Sequence, residues 1–177
     1  MKIIIEQEQA SEFESVEELI RQAFAGEELS DQTEHQLVKR LRNSKAYVRE
    51  LSLTAKRSDG KLLGHILLTK ARIIDGENSC ETLALAPVSV LPAHQGQGVG
   101  SALINASLGR AKQLGFSSVI VLGHPGYYPK FGFEPASRWN IQAPFEVPEE
   151  AFMARELLPG TLNGVSGVVR YADEFSS

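Results

Sequence analysis

The amino-acid sequence predicts a single α/β domain of the α+β type, in which helices flank a mixed β-sheet. The order of the elements points to this class, because a strand and two amphipathic helices precede several strand-like runs that one further helix interrupts. The size of the chain agrees, since 177 residues, 42% of them hydrophobic, are enough for one full-sized core. We therefore expect residues 1–177 to form one domain.

In the first half of the chain, hydrophobic periodicity separates helices from strands. Apolar residues recur at helical spacing in the first helix, and Gly26 ends it. Later, Ser58-Asp59-Gly60 is a strong hairpin signal between two strand-like runs. The elements predicted in this half are a strand at residues 2–6, helices at 12–25 and 33–42, and antiparallel strands at 47–56 and 62–74.

In the second half, a strand leads through a glycine-rich turn into the third helix. Gly115 is expected to end this helix as its C-cap. After the next strand, Tyr127-Tyr128-Pro129-Lys130 indicates a short helical turn. The elements predicted here are strands at residues 81–90, 118–122, 152–156 and 165–171, and a helix from residue 100 to about residue 114.

The glycine-rich turn says most about function. In Gln95-Gly96-Gln97-Gly98-Val99-Gly100, several backbone N–H groups are unpaired at the positive end of the helix dipole, where a phosphate or pyrophosphate fits. The turn ends in Ser101 with no lysine nearby, which excludes a nucleoside-triphosphate loop. Residues 117–122 contain no carboxylate, which disfavours a dinucleotide fingerprint. On this hexapeptide alone, a turn that merely joins strand to helix remains an alternative.

Composition argues against several other classes of function. A net charge of −4 without a basic stripe indicates that nucleic acid is not the main partner. We expect a cytoplasmic protein without a membrane partner, because no apolar run is long enough for a span and the N-terminal one is too short for a signal peptide. Cys80 is the only cysteine and the four histidines show no ligand spacing, so neither a disulfide nor a metal is expected.

The loop also matches a more specific pattern, Gln-x-x-Gly-x-Gly, with Gln95, Gly98 and Gly100 in the fixed places. This pattern resembles the acetyl-coenzyme A (acetyl-CoA) loop of the GNAT superfamily of N-acetyltransferases, and the order of elements resembles that superfamily over nearly the whole chain. Shorter segments are similar to its YhbS-like group of acetyltransferases. They are Leu51-Ser52-Leu53, Gly64-His65-Ile66-Leu67, Val121-Leu122-Gly123 followed by Tyr127-Tyr128, Glu156-Leu157-Leu158-Pro159-Gly160, and Gly164-Val165-Ser166-Gly167.

The resemblance implies a GNAT fold, whose mixed central sheet of about six or seven strands is splayed between the central strand and the following one. It implies acetyl-CoA as co-substrate, with the pyrophosphate on the loop and the pantetheine arm paired along residues 88–90 like an extra strand. Pro87 and Pro92 bracket that stretch, which suits an edge freed for a ligand or a simple strand end. The implied cofactor-binding residues are Val88, Ser89, Val90, Gln95, Gly96, Gln97, Gly98, Val99, Gly100, Ser101 and Tyr128.

The resemblance also implies transfer of the acetyl group to a primary amine by direct attack in a ternary complex. The N–H of Val90 is then the candidate for polarising the acetyl carbonyl. Tyr128, four residues before Gly132, is the candidate general acid that protonates the departing thiolate. A packed Tyr128 that only hydrogen-bonds the cofactor is the alternative, and Tyr127 is expected in the core or the pocket wall.

No residue is clearly marked as the general base. His124 follows the buried strand close to Tyr128, and its neutral ring can accept a proton. Related proteins look acidic at this place, so a loop histidine without a catalytic role is the default interpretation. Glu81 is an alternative, because some members of the superfamily use a glutamate on the central strand, but it lies at the far end of that strand. The sequence Gly123-His124-Pro125-Gly126 also replaces an asparagine that many family members carry.

Two other classes of function are alternatives to the enzyme. An acyl-CoA-binding sensor with little or no catalysis explains the same loop, and only turnover distinguishes it. A hydrolase is disfavoured, because a nucleophile elbow at Ser166 needs glycine at position 168, where the chain has Val168. The acceptor is expected to be an amine on a small molecule or a peptide, and related enzymes often pair through late strands, which suggests a homodimer.

Overall fold

The computed structural model describes residues 1–176, so Ser177 of the expected domain lies outside the described residues. Nine strands form one sheet there, and no helix combines the length and apolar character that crossing a membrane requires. The elements are β1 (Ile3–Gln7), α1 (Phe13–Phe24), α2 (Glu34–Arg42), β2 (Tyr47–Arg57), β3 (Leu62–Asp75), β4 (Asn78–Val90), α3 (Val99–Gln113), β5 (Ser118–Leu122), β6 (Glu134–Pro135), β7 (Ile141–Gln142), β8 (Phe152–Glu156) and β9 (Gly167–Arg170).

The strands lie in the order β1-β2-β3-β4-β5-β8-β6, and β9 pairs with both β3 and β7. The pairing is mixed, because β4 with β5 and β7 with β9 are parallel while the other neighbours are antiparallel. The predicted α/β fold with a mixed sheet is confirmed. Seven strands correspond to predicted runs, whereas β6 and β7 have two residues each and are too short to leave a periodic pattern in the sequence.

The helices cover opposite faces of the sheet. Neighbouring residues of a strand point to opposite sides, and in β3 Ile66 and Leu68 pack with α3 whereas Leu67 packs with α1 and α2. The helical spacing predicted for α1 is confirmed by its buried residues, which are Val16, Leu19, Ile20 and Ala23.

The C-terminal segment covers the rest of the face that α1 and α2 occupy. Ala71 and Ile73 of β3 alternate in step with Leu67, and they pack with Trp139 and Phe152 from that segment. One face of the sheet is therefore shared between two helices and the chain that follows β5.

The sheet splits between β4 and β5, as expected for the fold. These strands pair only at Leu83 with Val119 and at Ala84 with Ile120, although β4 continues to Val90. A bulge in the β3–β4 pairing lies just beyond, where Leu68 opposes Leu85 but Ile66 opposes Val88. A bulge bends its strand and increases the local twist. The upper part of β4 thus diverges from β5 and leaves a gap along its edge.

Candidate active site

The start of α3 presents a row of backbone N–H groups. In the described part of the chain, the amides of residues 96–101 have no hydrogen-bond acceptor, and the first paired one is that of Ala102, which donates to the Gly98 carbonyl at 3.0 Å. Gly98 is the N-cap, with a φ of +86°. A Cβ at Gly98 would meet nothing within 4 Å, so the backbone conformation rather than crowding requires glycine. Consecutive amides at a helix N-terminus suit a diphosphate.

Gln95 fixes this loop to the end of β4. Its Nε2 donates a hydrogen bond to the Val90 carbonyl at 3.3 Å. Within the same loop, His94 Nδ1 and Gln97 Oε1 are 3.3 Å apart. Since the Gln95 amide group already has a partner in the chain, its contribution here is to position the loop amides relative to the strand.

The upper edge of β4 turns two amides into the gap. The N–H of Leu91 donates to the Leu63 carbonyl at 2.9 Å, so Leu91 faces β3. Because strand residues alternate, Val90 and Val88 direct their N–H groups to the opposite edge, where β5 has diverged. The Val90 carbonyl also faces away from β3, since it accepts its hydrogen bond from Gln95 Nε2. Ser89 lies between them with a buried side chain.

Tyr128 lies in the loop after β5 and is 8% exposed. Its ring packs edge-on against Phe133 and lies so close to Gly123 that a Cβ there would sit 2.7 Å from the ring atom Cδ2. Burial, with a smaller effect from Tyr127, raises the pKa of Tyr128 to about 12. The phenol therefore holds its proton at neutral pH, as a general acid must.

Tyr127 connects the loop after β5 to the start of α3. Its hydroxyl lies 3.4 Å from Ser101 Oγ, and Lys130 Nζ lies 4.1 Å from the centre of its ring. The sequence predicts Tyr127 in the core or the pocket wall, and in the structure its partly buried ring packs against the core. The sequence predicts no role for Lys130, which only its proximity to Tyr128 marks. The contact between Tyr127 and Ser101 leaves no local signal, because it joins residues 26 positions apart. The pair adds a hydroxyl and a positive charge beside the row of amides.

The two candidates for the general base lie far apart. His124 is exposed, and its Nδ1 accepts a hydrogen bond from the Gly126 N–H at 3.0 Å, so the neutral ring carries its proton on Nε2. Glu81 pairs in register with Arg72, and roughly 30 Å of strand separates it from Val90. His124 alone shares a loop with Tyr128. Within residues 1–176, no three His, Cys, Asp or Glu side chains are grouped to hold a metal ion.

A buried polar network beneath α1 and α2 was not anticipated from the sequence. Arg42 donates to Glu8 at 2.7 Å and to Glu17 at 2.5 Å. Ser52 donates its only proton to Glu8 at 2.8 Å, so His65 Nε2, 2.9 Å from Ser52 Oγ, is the donor to Ser52. Burial by itself raises the pKa of Glu8, but the hydrogen bonds and charges of His65 and Arg42 outweigh burial and lower it. The network ties both helices to the sheet.

The sequence matches known acetyltransferases. Residues 5–136 match the family model described as an acetyltransferase (GNAT) domain. The uncharacterized N-acetyltransferase YjhQ of Escherichia coli K12 is 40% identical over 127 residues, which cover 70% of this chain and 69% of that protein.

The fold matches two structures that were solved in complex with CoA or acetyl-CoA. A GNAT family N-acetyltransferase (YhbS) from Escherichia coli in complex with CoA is similar with a TM-score of 0.88 and 26% identity, over 99% of this chain and 93% of that one. A GNAT family acetyltransferase from Brucella melitensis in complex with acetyl-CoA has a TM-score of 0.80 and 31% identity, over 98% of each chain. The present chain therefore belongs to the GNAT family of acetyltransferases.

Proposed function

We propose that this chain transfers an acetyl group from acetyl-CoA to a primary amine, by direct attack of the amine in a ternary complex. One observation carries the proposal. A row of unpaired amides at the start of α3 lies beside an unpaired edge of β4, which is what an anionic ligand with an amide-containing arm requires. Two similar structures contain CoA and acetyl-CoA, which supports this ligand.

The residues present fit acetyl-CoA. Its diphosphate matches the amides of residues 96–101, where Gly98 leaves the approach open, and Lys130 adds positive charge nearby. Its pantetheine arm carries amides that can pair with residues 88–90 as an added strand. In that position the N–H of Val90 faces the acetyl carbonyl.

Acetyl-CoA supplies an activated thioester, and the side chains and backbone around it stabilise charge and move protons. The N–H of Val90 donates to the acetyl oxygen, where negative charge develops as the amine nitrogen bonds to the carbonyl carbon. Tyr128 donates its phenolic proton to sulfur as the C–S bond breaks. His124 is our candidate for accepting the proton that the amine loses, after a loop movement frees Nδ1 from Gly126.

The proposal extends to organisation and location. The structural similarity to YhbS spans 99% of this chain, which supports one N-acetyltransferase domain over residues 1–177. We also propose a cytoplasmic homodimer whose partners are acetyl-CoA and an amine, without nucleic acid or membrane. Sedimentation measured across a concentration series tests the dimer.

Calorimetry with acetyl-CoA tests the binding site. In Gly98→Val, an L-residue at the φ of +86° costs about 1–2 kcal/mol and favours another loop conformation that disrupts the row of amides, so we expect at least roughly tenfold weaker binding. Gly109→Val is the matched control, because it lies on the same helix and a Cβ there also meets nothing within 4 Å.

Equal affinities of the two variants, or no affinity in the wild type, would contradict the proposed site. Release of free thiol in the presence of an amine then separates the enzyme from a sensor. Tight acetyl-CoA binding without turnover on any amine would favour the acyl-CoA-binding sensor.

A further inference from the structure

A cavity of about 800 Å³ opens where β4 and β5 separate. Ala86 of β4 and Leu122 of β5 both line it, and each lies two positions beyond the last paired residues of these strands, Ala84 and Ile120. Val88, which turns its N–H into the gap, is two residues further along β4, about 7 Å away. The cavity therefore adjoins the edge that holds the acetyl group in the proposed function.

The walls of the cavity are apolar and aromatic. Phe145 stacks on Tyr171 with ring centres 6.1 Å apart and an interplanar angle of 12°, and Phe175 packs against Tyr171 at 5.2 Å. Three large apolar side chains remain substantially exposed there, namely Leu122 at 43%, Phe145 at 48% and Val168 at 41%. Clustered exposed apolar side chains in a concave site mark a surface that a ligand covers.

The charges of the cavity limit the kind of ligand. Among the residues that the structure describes, its charged lining residues are Arg170 and Asp173, one of each sign, whose Nη2 and Oδ1 atoms are 4.0 Å apart. A polyamine carries several cations, which would need several carboxylates to replace their hydration. One carboxylate beside a guanidinium does not meet that need, so the charge pattern favours an amine with a single cation.

We infer that this cavity is the acceptor site and that the acceptor is a small primary monoamine carried on an aromatic or branched apolar body. The inference rests on the proposed function, since it assigns the second substrate of the same reaction. The apolar body packs among Leu122, Phe145 and Tyr171, and the amine points toward the edge of β4 at Val88. The cavity volume lies within the range of about 300–1,000 Å³ typical of small-molecule sites.

Steady-state thiol release at saturating acetyl-CoA tests the inference with 2-phenylethylamine, isoamylamine and spermidine as acceptors. We expect both apolar monoamines to exceed spermidine in kcat/KM by at least about tenfold. Leu122→Ala and Phe145→Ala should each lower kcat/KM for 2-phenylethylamine roughly tenfold, mainly through KM, without changing acetyl-CoA affinity. Leu158→Ala is the matched control, because Leu158 is 42% exposed, like Leu122 at 43%, but does not line this cavity.

The outcomes separate the acceptor class from the reaction. A preference for spermidine, or 2-phenylethylamine turnover that neither cavity variant alters, would overturn the acceptor class and leave the acetyl transfer in place. Acetyl-CoA binding without turnover on any of the three amines would also overturn it. Failure of the wild type to bind acetyl-CoA would instead overturn the proposed function.

Discussion

Replacing Arg42 with methionine should destabilise the fold severely, because it removes the nearest cation from a buried carboxylate, that of Glu8. The Arg42 side chain is 5% exposed and that of Glu8 is 0% exposed, and their ion pair measures 2.7 Å. The second partner, Glu17, is 23% exposed and remains partly hydrated. Methionine fills much of the same volume, so the variant removes mainly the charge and its hydrogen bonds.

The expected loss follows from this burial. Breaking a buried ion pair by removing one partner costs about 3–5 kcal/mol, since the remaining charge keeps its desolvation penalty. A domain with a total stability of about 5–15 kcal/mol would be brought near the unfolding threshold. The exposed pair of Arg138 and Glu134, which is 2.6 Å long but 58% and 50% exposed, is the matched control, and Arg138→Met should cost less than about 1 kcal/mol.

The pH dependence has a definite sign. In the wild type, the pKa of Glu8 lies below its ordinary value of 4.5, so the stabilisation is present above that value and is lost as pH falls through the folded-state pKa. Without Arg42, one of the groups that lower the pKa of Glu8 is gone while burial remains, so that pKa rises. Glu8 therefore becomes neutral at a higher pH in the variant than in the wild type, and the difference in unfolding free energy between the two should narrow as pH is lowered from 7 toward 4.

Urea unfolding at pH 7 and at lower pH measures these effects, with fluorescence of Trp139 as the probe. Arg42→Met combined with Glu8→Gln should recover part of the loss, because the unpaired charge is then absent. The reasoning would be refuted if Arg42→Met lowered the free energy of unfolding by less than about 1 kcal/mol at pH 7. It would also be refuted if the difference from the wild type did not change with pH.

Two further variants test the loop after β5. Tyr128→Phe keeps the ring packed but removes the acidic proton, so kcat should fall roughly 100-fold while acetyl-CoA affinity stays unchanged. Thiol release measures kcat, and calorimetry measures the affinity. The pKa of Tyr128 is about 12, so the phenol keeps its proton up to pH 10. The wild-type rate should therefore show no decrease between pH 8 and 10 that depends on Tyr128 and disappears in Tyr128→Phe. Gly123→Ala would drive a Cβ to 2.7 Å from Tyr128 Cδ2, which should cost about 1–3 kcal/mol in thermal unfolding and lower kcat. Gly26→Ala is the control, because a Cβ there meets nothing within 4 Å, and it should leave both near wild type.

Much of the fold could be predicted from local sequence patterns. The helix over residues 12–25 appears as Phe13–Phe24, and the strand over 81–90 appears as Asn78–Val90, because apolar periodicity records which face of an element is buried. Very short elements leave no such periodicity, so the sequence does not predict them. Residues 134–135 and 141–142 become strands only because β8 and β9 lie beside them.

The candidate site divides in a similar way. A turn that can adopt positive φ at Gly98 and begin a helix is written locally, so the row of amides could be read from the sequence. The local sequence pattern does not show which amides of β4 face the gap, since one residue of bulge decides it, and the choice of Val90 came from the family resemblance. The contact of Tyr127 with Ser101 and the burial of Glu8 against Arg42 likewise depend on strands and helices distant in the chain.

By itself, the sequence determined the kinds and order of the longer elements and the anion-binding turn before α3, because these depend on side-chain spacing and on the conformational freedom of glycine within a few residues. Tertiary structure alone decided how far β4 and β5 separate, the hydrogen bond between His65 and Ser52, and the apolar cavity beside Leu122. Each of these arises where segments far apart in the chain meet, and no local pattern encodes the register or the distance at which they do so.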